Sequence, residues 1–227
     1  MRRVTIFDYG AGNLHSLAKA LTEPTTEVVI EIDPIAAIDT DVLVLPGVGS
    51  FAQAAGRLAA GRDAMRDAML DGLPSLGICL GMQLLFEGSD EGTGPGLGII
   101  PGRVTRLTAR RVPQIGWNTL DDTRDALFEA APLAITYFAH SFACRPITDD
   151  RVIAWSRHED DRFAAAVRAG TESNIVGVQF HPEKSSAAGV RFVRAFLREA
   201  ARRVKGRRPR GSSTLSQALP ASRAASP

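Results

Sequence analysis

The sequence predicts an α/β domain with a mostly parallel central sheet, flanked by helices and extended by additional antiparallel strands. Three observations carry that expectation. Short, continuous apolar runs recur through the first half, too uniformly apolar for half-exposed strands, as expected of strands covered on both faces. Helical periodicity fills the stretches between them. In the second half short strands follow one another, separated by Asp, Gly and Pro, with few helices in between.

The elements follow in order. Residues 4–7, 28–32, 42–45 and 76–78 are the apolar runs, and all four are expected to be buried on both faces. Helices are expected over 14–22, 51–58 and 64–70, and such alternation implies right-handed crossovers and parallel pairing. Strands are expected over 102–107, 134–142, 152–156, 163–168 and 175–180. A last helix places Val190, Val193, Phe196, Leu197, Ala200 and Val204 on one face and Arg191, Arg194 and Arg198 off it. With 227 residues, 44% of them hydrophobic, the chain has material for one substantial core. One domain is expected over residues 1–205. Residues 206–227, rich in Arg, Ser, Ala and Pro, lack apolar periodicity and are expected to form a disordered basic tail.

The formal net charge of +2 conceals a segregation. From Arg202 onward there are seven basic residues and no acid, which leaves the body acidic, with both signs interspersed and no basic stripe. That pattern argues against nucleic-acid binding. No run of about 18 apolar residues exists to span a membrane. Asp8 and Gly10 cut the N-terminal apolar run short of a signal-peptide core, and Cys79 and Cys144 cannot make a disulfide scaffold, so a cytoplasmic protein is expected.

Some motifs are excluded outright. Gly10-Ala11-Gly12-Asn13 invites a dinucleotide site, but His15 stands where the third glycine is needed, and no Walker sequence occurs. The strong signal is Gly77-Ile78-Cys79-Leu80-Gly81, where a strand runs into a helix. G-x-C-x-G suits a nucleophile elbow, in which small neighbours allow a sharp turn that lifts the reactive atom over the sheet. A cysteine at a helix N-terminus would have its thiolate favoured by the dipole and by free N–H groups. Cys144 has no such setting and is expected to be inert.

A nucleophilic cysteine needs a base. Among the four histidines, His181 follows an expected strand and precedes Pro182 and Glu183, so the His and Glu could share a face if the extended run continues. An exposed turn is the competing interpretation of His-Pro-Glu. The zinc deaminase signature also contains His-x-Glu, but no cysteine follows position 144, and no metal is expected. Pro46-Gly47-Val48-Gly49-Ser50-Phe51 would suit an oxyanion hole beside the elbow and reads equally as a plain turn.

Together, GICLGMQLL, GVQFHPEKS and PGVGSF resemble the class I (triad) glutamine amidotransferases. With DYGAGNLHS, GLGIIPG, VPQIGWN and YFAHS in the same order, the chain resembles more closely their family of glutaminase subunits of imidazole glycerol phosphate synthases, over about residues 4–200. The resemblance implies a class I glutamine amidotransferase-like fold, no cofactor, and hydrolysis of glutamine by Cys79, His181 and Glu183. It implies an oxyanion hole from the Val48 and Leu80 amides, and glutamine binding by Gly47, Gly49, Gln83, Glu91 and Ser141. The ammonia would pass to a (β/α)8-barrel cyclase subunit, with Asn13, Trp117, Asn118, Tyr137 and Lys184 as interface candidates. Trp117 and Tyr137 read equally as core aromatics, and Lys184 as an ordinary exposed lysine.

Overall fold

The structure, a computed structural model, describes residues 1–10 and 14–204. Asn13, the tail expected at 206–227 and the side chain of Val204 therefore lie outside the described residues. The first half runs β1 (Arg2–Phe7), α1 (His15–Leu21), β2 (Thr26–Glu31), β3 (Val42–Leu45), α2 (Phe51–Leu58), α3 (Arg62–Leu70), β4 (Ser75–Ile78) and the single turn α4 (Leu80–Gln83). The second half runs β5 (Gly88–Ser89), β6 (Gly102–Arg106), β7 (Gln114–Thr119), α5 (Ala126–Ala130), β8 (Ile135–His140), β9 (Phe142–Pro146), β10 (Val152–His158), β11 (Asp161–Arg168), β12 (Ile175–Val178) and α6 (Ser186–Val204).

A seven-stranded sheet has the order β10-β11-β12-β4-β3-β1-β2. Its five strands from β12 to β2 are parallel, and β10 and β11 extend it antiparallel, as expected from the change of pattern at mid-chain. The continuous run of β3 shows why the parallel strands read as uniformly apolar. Val42 and Val44 pack with Leu17 and Leu21 of α1 and Phe192 and Phe196 of α6. Leu43 and Leu45 point the other way, into Phe51 and Leu58 of α2 and Met65 and Met69 of α3. Each such side chain, removed from water, stabilises the fold by about 1.5–3 kcal/mol.

Two expectations need correction, and one strand is new. The 28–32 run is not buried on both faces: β2 is the sheet's edge strand, and Ile30 is half exposed. The strand expected over 134–142 is two strands, because the chain changes sheets at Ser141; β8 pairs with β7, whereas β9 pairs with β6. Strand β7 lies where only the VPQIGWN motif marks the sequence; Ile115 and Trp117 do alternate with Gln114, Gly116 and Asn118, but two apolar residues are too few to announce a strand.

One buried ionic cluster ties the sheet to its helical cover. Arg168 of β11 is only 4% exposed and donates to Asp125 at 2.7 Å and Glu199 at 2.9 Å. Asp125 also caps α5, accepting from the Leu127 N–H at 2.9 Å. One guanidinium thus joins β11, α5 and α6.

Candidate active site

Strand β4 lies between β3 and β12, so the residue after its carboxyl end emerges at the middle of the sheet. That residue is Cys79. It adopts φ 47° and ψ −104°, a strained conformation for a residue with a side chain, and its N–H donates to the Val178 carbonyl at 2.6 Å. The flanking glycines are dictated by packing. A Cβ at Gly81 would lie 2.0 Å from the Leu45 oxygen of β3, and one at Gly77 would lie 2.5 Å from the Gly81 oxygen. The elbow is as expected, but α4 is a single turn, so local hydrogen bonds and charges act on the sulfur more than any macrodipole.

The base arrives by a different route from the one the sequence suggested. Strand β12 stops at Val178, and His181 caps a 3₁₀ turn over Pro182–Lys184 in place of an extended run. The turn nevertheless brings His181 Nδ1 within 2.8 Å of Glu183 Oε1. A ring that donates Nδ1–H to the carboxylate leaves Nε2 for the sulfur. The turn is fixed to β8. The His181 N–H donates to the Tyr137 carbonyl at 2.8 Å, and the buried Ser185 hydroxyl donates to the His181 carbonyl at 2.7 Å while accepting from the Tyr137 N–H at 2.9 Å. Burial lowers the affinity of His181 for a proton. The charge and hydrogen bond of Cys79, followed by those of Glu183, outweigh it and push the imidazole up to about 10. An imidazole pushed that far up is held protonated at neutral pH. Gly47 lies against both partners, since a Cβ there would be 2.9 Å from His181 Cε1 and 3.0 Å from Cys79 Cβ.

A pocket of about 320 Å³ opens over the sulfur, of a size suited to a small metabolite. Gly47, Gly49, Gln83, Glu91 and Ser141 all line it, as do Cys79 and Leu80. Val48 is half buried behind the wall and packs on the hydrophobic cluster that contains Cys79. The Tyr9 hydroxyl donates to the Pro46 carbonyl and anchors the start of this loop. The Glu91 carboxylate accepts the Phe51 N–H at 3.1 Å, at the start of α2.

Two residues here escaped the sequence reading. His140 lines the pocket; its Nδ1 lies 2.8 Å from the Phe142 carbonyl and its Nε2 2.8 Å from Gln114 Oε1. Burial pulls its proton affinity down to about 4, so the ring is neutral. A neutral ring that donates Nδ1–H to Phe142 leaves Nε2 as an acceptor, which requires the Gln114 amide to be flipped so that its NH2 takes the place of Oε1. Gln179, fully buried, places its side-chain nitrogen 3.4 Å from Cys79 Sγ. A polar residue between Val178 and Phe180, two positions before His181, was the available signal. Cys144 is fully buried, and burial raises its thiol well above the ordinary range, consistent with inertness.

Beside the pocket, β7 and β8 form a two-stranded ladder whose outer face is apolar and uncovered. Trp117 is 55% exposed, so it is not a core aromatic, and it packs edge-on against half-buried Tyr137 at 6.2 Å. The Lys184 Nζ stands 6.0 Å from the Tyr137 ring centre. Ile115, which also lines the pocket, and Ile135 complete the exposed surface. Asn118 is not part of this group. It stands on the opposite side of β7 and donates to the Arg157 carbonyl at 2.8 Å.

Comparison with known proteins places the site in a family. Residues 5–200 match the model for "glutamine amidotransferase class-I". The chain is 40% identical over 210 residues to the imidazole glycerol phosphate synthase subunit HisH of a Synechococcus species, covering 89% of this chain and 96% of that one. It is 42% identical to HisH of Halobacterium salinarum (86% and 92% covered) and 44% identical to HisH of Symbiobacterium thermophilum (85% and 92%). Among solved structures, PurLQS from Thermotoga maritima superimposes with a TM-score of 0.65 at 21% identity, covering 88% of this chain and 99% of that one. The glutaminase domain of Trypanosoma brucei CTPS, with bound acivicin, gives 0.63 at 15% identity (89% and 94%). These two likenesses concern the fold alone. The chain belongs to the class I glutamine amidotransferases and, within them, to the family of imidazole glycerol phosphate synthase HisH subunits.

Proposed function

We propose that this chain is the glutaminase subunit of an imidazole glycerol phosphate synthase, acting in histidine biosynthesis. It hydrolyses glutamine to glutamate and ammonia and passes the ammonia to a (β/α)8 cyclase subunit, which makes imidazole glycerol phosphate and an aminoimidazole carboxamide ribotide. The observation that carries the reading is the strained Cys79 elbow, which lines an amino-acid-sized pocket and is hydrogen-bonded to a buried His181 locked onto Glu183 at 2.8 Å.

In the reaction the Cys79 thiolate attacks the side-chain amide carbon of glutamine. The oxyanion is held by the Leu80 amide and, once the Gly47–Gly49 loop reorients, by that of Val48; each donor of this kind contributes roughly 3 kcal/mol in the transition state. His181, protonated at rest, gives its proton to the departing ammonia. It then takes a proton from the water that hydrolyses the glutamyl thioester, with Glu183 holding the ring. Gly47, Gly49, Gln83, Glu91 and Ser141 hold the glutamine. Trp117, Tyr137 and Lys184 form the docking face, continuous with the pocket mouth through Ile115.

The reaction suits the cytoplasm, where thiols stay reduced. No helix among the described residues is long and apolar enough to cross a membrane. The experiment is glutamate release from glutamine by the purified chain, alone and with a barrel cyclase and its nucleotide ligand. Strong activation by the cyclase, abolished in Cys79→Ala, is the expected result. Partner-independent turnover, or turnover in the Cys79→Ala complex, would overturn the reading.

A further inference from the structure

We infer that Gln179 is a positioning residue for the nucleophile, its side-chain amide holding the Cys79 sulfur and favouring the thiolate over the thiol. The inference rests on the reading of Cys79 as nucleophile and deepens it.

Gln179 lies between the end of β12 and His181 and has no exposed surface. Its backbone N–H is engaged with the Ala165 carbonyl at 2.8 Å, so the side chain hangs from a fixed point of the sheet. The orientation of the amide is set from its oxygen end. Gln83 donates from Nε2 to Gln179 Oε1 at 3.5 Å and to the Phe142 carbonyl at 3.1 Å, which turns the Gln179 NH2 to the sulfur at 3.4 Å. A buried amide donor needs an acceptor, and a thiol is a poor one. A thiolate makes the same contact charge-assisted and roughly doubles its strength.

A main-chain contact of the sulfur selects the opposite form. Cys79 Sγ lies 3.9 Å from the Ala139 carbonyl, to which only a thiol can donate. The protonated His181 favours the thiolate, the buried Tyr9 and Cys144 also face the sulfur, and against that common background Gln179 and Ala139 draw it toward different protonation states, so that losing the amide shifts the balance toward the thiol. Gln83 and Phe142 both line the pocket, so the chain of hydrogen bonds also connects the substrate-facing wall to the nucleophile.

The test is the pH dependence of iodoacetamide alkylation at Cys79 in the full chain, followed by mass spectrometry that tracks Cys144 separately. Gln179→Met keeps the volume and removes the donor. Its alkylation midpoint is expected to rise by about one pH unit or more, the size of one charge-assisted hydrogen bond. Gln179→Glu, which sets a carboxylate beside the sulfur, is expected to rise further. A Gln179→Met chain with an unchanged melting curve and an unchanged midpoint would overturn the inference, as would a Gln179→Glu midpoint at or below that of the wild type.

Should neither variant fold, the wild-type chain still decides the matter. The Gln179 side-chain amide protons, followed by NMR, should titrate with the alkylation midpoint and stop titrating in Cys79→Ser; amide protons that never respond to pH would refute it. Loss of glutaminase activity in Cys79→Ala tests the nucleophile independently, so failure of the one is distinguishable from failure of the other.

Discussion

Gly47 is the sharpest point at which to perturb the site. Its φ lies outside the left-handed region, so alanine is acceptable to the backbone and the whole effect comes from where the new methyl group goes. That group would sit 2.9 Å from His181 Cε1, 3.0 Å from Cys79 Cβ and 3.0 Å from the Ile78 carbonyl. Carbon atoms prefer about 3.5–4.0 Å, and the Ile78 backbone blocks retreat on the third side. The relief available is to push His181 and Cys79 apart by about 0.5–1 Å. A displacement of that size within a catalytic pair costs about 100-fold in rate, or about 2.7 kcal/mol of transition-state stabilisation. The expected fold penalty is about 1–3 kcal/mol. The assay is glutamate release by the Gly47→Ala chain with cyclase and nucleotide ligand, beside a melting curve. Gly56→Ala is the control, because a Cβ there meets nothing within 4 Å. In the interior of α2 it should gain up to about 1 kcal/mol of helix stability and leave the rate unchanged. A folded Gly47→Ala enzyme retaining more than about half of its activity would refute the reasoning, since the wall would then yield without separating the pair.

Three further outcomes follow. Arg168→Met leaves the largely buried Asp125 without its ion-pair partner and Glu199 with Arg203 alone, at 3.1 Å, and should destabilise the chain by about 3 kcal/mol in urea denaturation; a loss below about 1 kcal/mol would contradict the cluster's role. His140, neutral in the fold with a proton affinity near 4 against an ordinary 6.5, contributes stability that is complete above pH 6.5 and lost as pH falls toward 4. Between pH 7 and 4 the wild type should therefore lose about 3 kcal/mol more than His140→Gln, and parallel losses would show that the ring charges without penalty. Trp117→Ala should weaken cyclase binding about 10- to 100-fold while leaving the melting temperature and Cys79 alkylation of the isolated chain unchanged; an unaltered Kd would remove this face from the interface.

The parallel half of the fold was legible because its signal is local. Covered strands must be apolar along their whole length, and β1, β3 and β4 fall where uniform runs predict them. What escaped depends on partners distant in sequence. Nothing local distinguishes an edge strand from an interior one, so the apolar run of β2 predicts cover on both faces that the edge position does not provide. The break at Ser141 exists because β8 and β9 find different neighbours, β7 and β6, and that pairing is invisible in a run of nine residues. The same division holds in the site. Cys79 declared itself through its adjacent glycines and His181 through Glu183, two positions away. Gln179 and His140 act through contacts to residues 100 and 26 positions distant, and neither has a sequence pattern of its own.

Strand β8 is the element that connects the exposed face to the chemistry. Its outward side chains include Tyr137, against which Trp117 and Lys184 pack, and its main chain touches both halves of the catalytic pair. The Tyr137 carbonyl holds the His181 N–H at 2.8 Å, and the Ala139 carbonyl lies 3.9 Å from Cys79 Sγ. The ladder β7–β8 has two strands only and is tied to the large sheet at one end, through the Asp121–Trp155 bridge and the Asn118 bond to Arg157 of β10; a two-stranded ribbon with one open face is among the least self-sufficient arrangements in a protein. A surface that docks there acts on the part of the scaffold that is least stable by itself and nearest to the reacting atoms. Any shift of β8 must alter the His181 turn or the contacts of the sulfur, because the hydrogen bonds that fix them come from consecutive outward-facing residues of one strand. If the proposed cyclase docks on this face, a glutaminase that must not release ammonia without its partner has its switch in the right place, because the strand beneath is also the one that holds the proposed nucleophile and base.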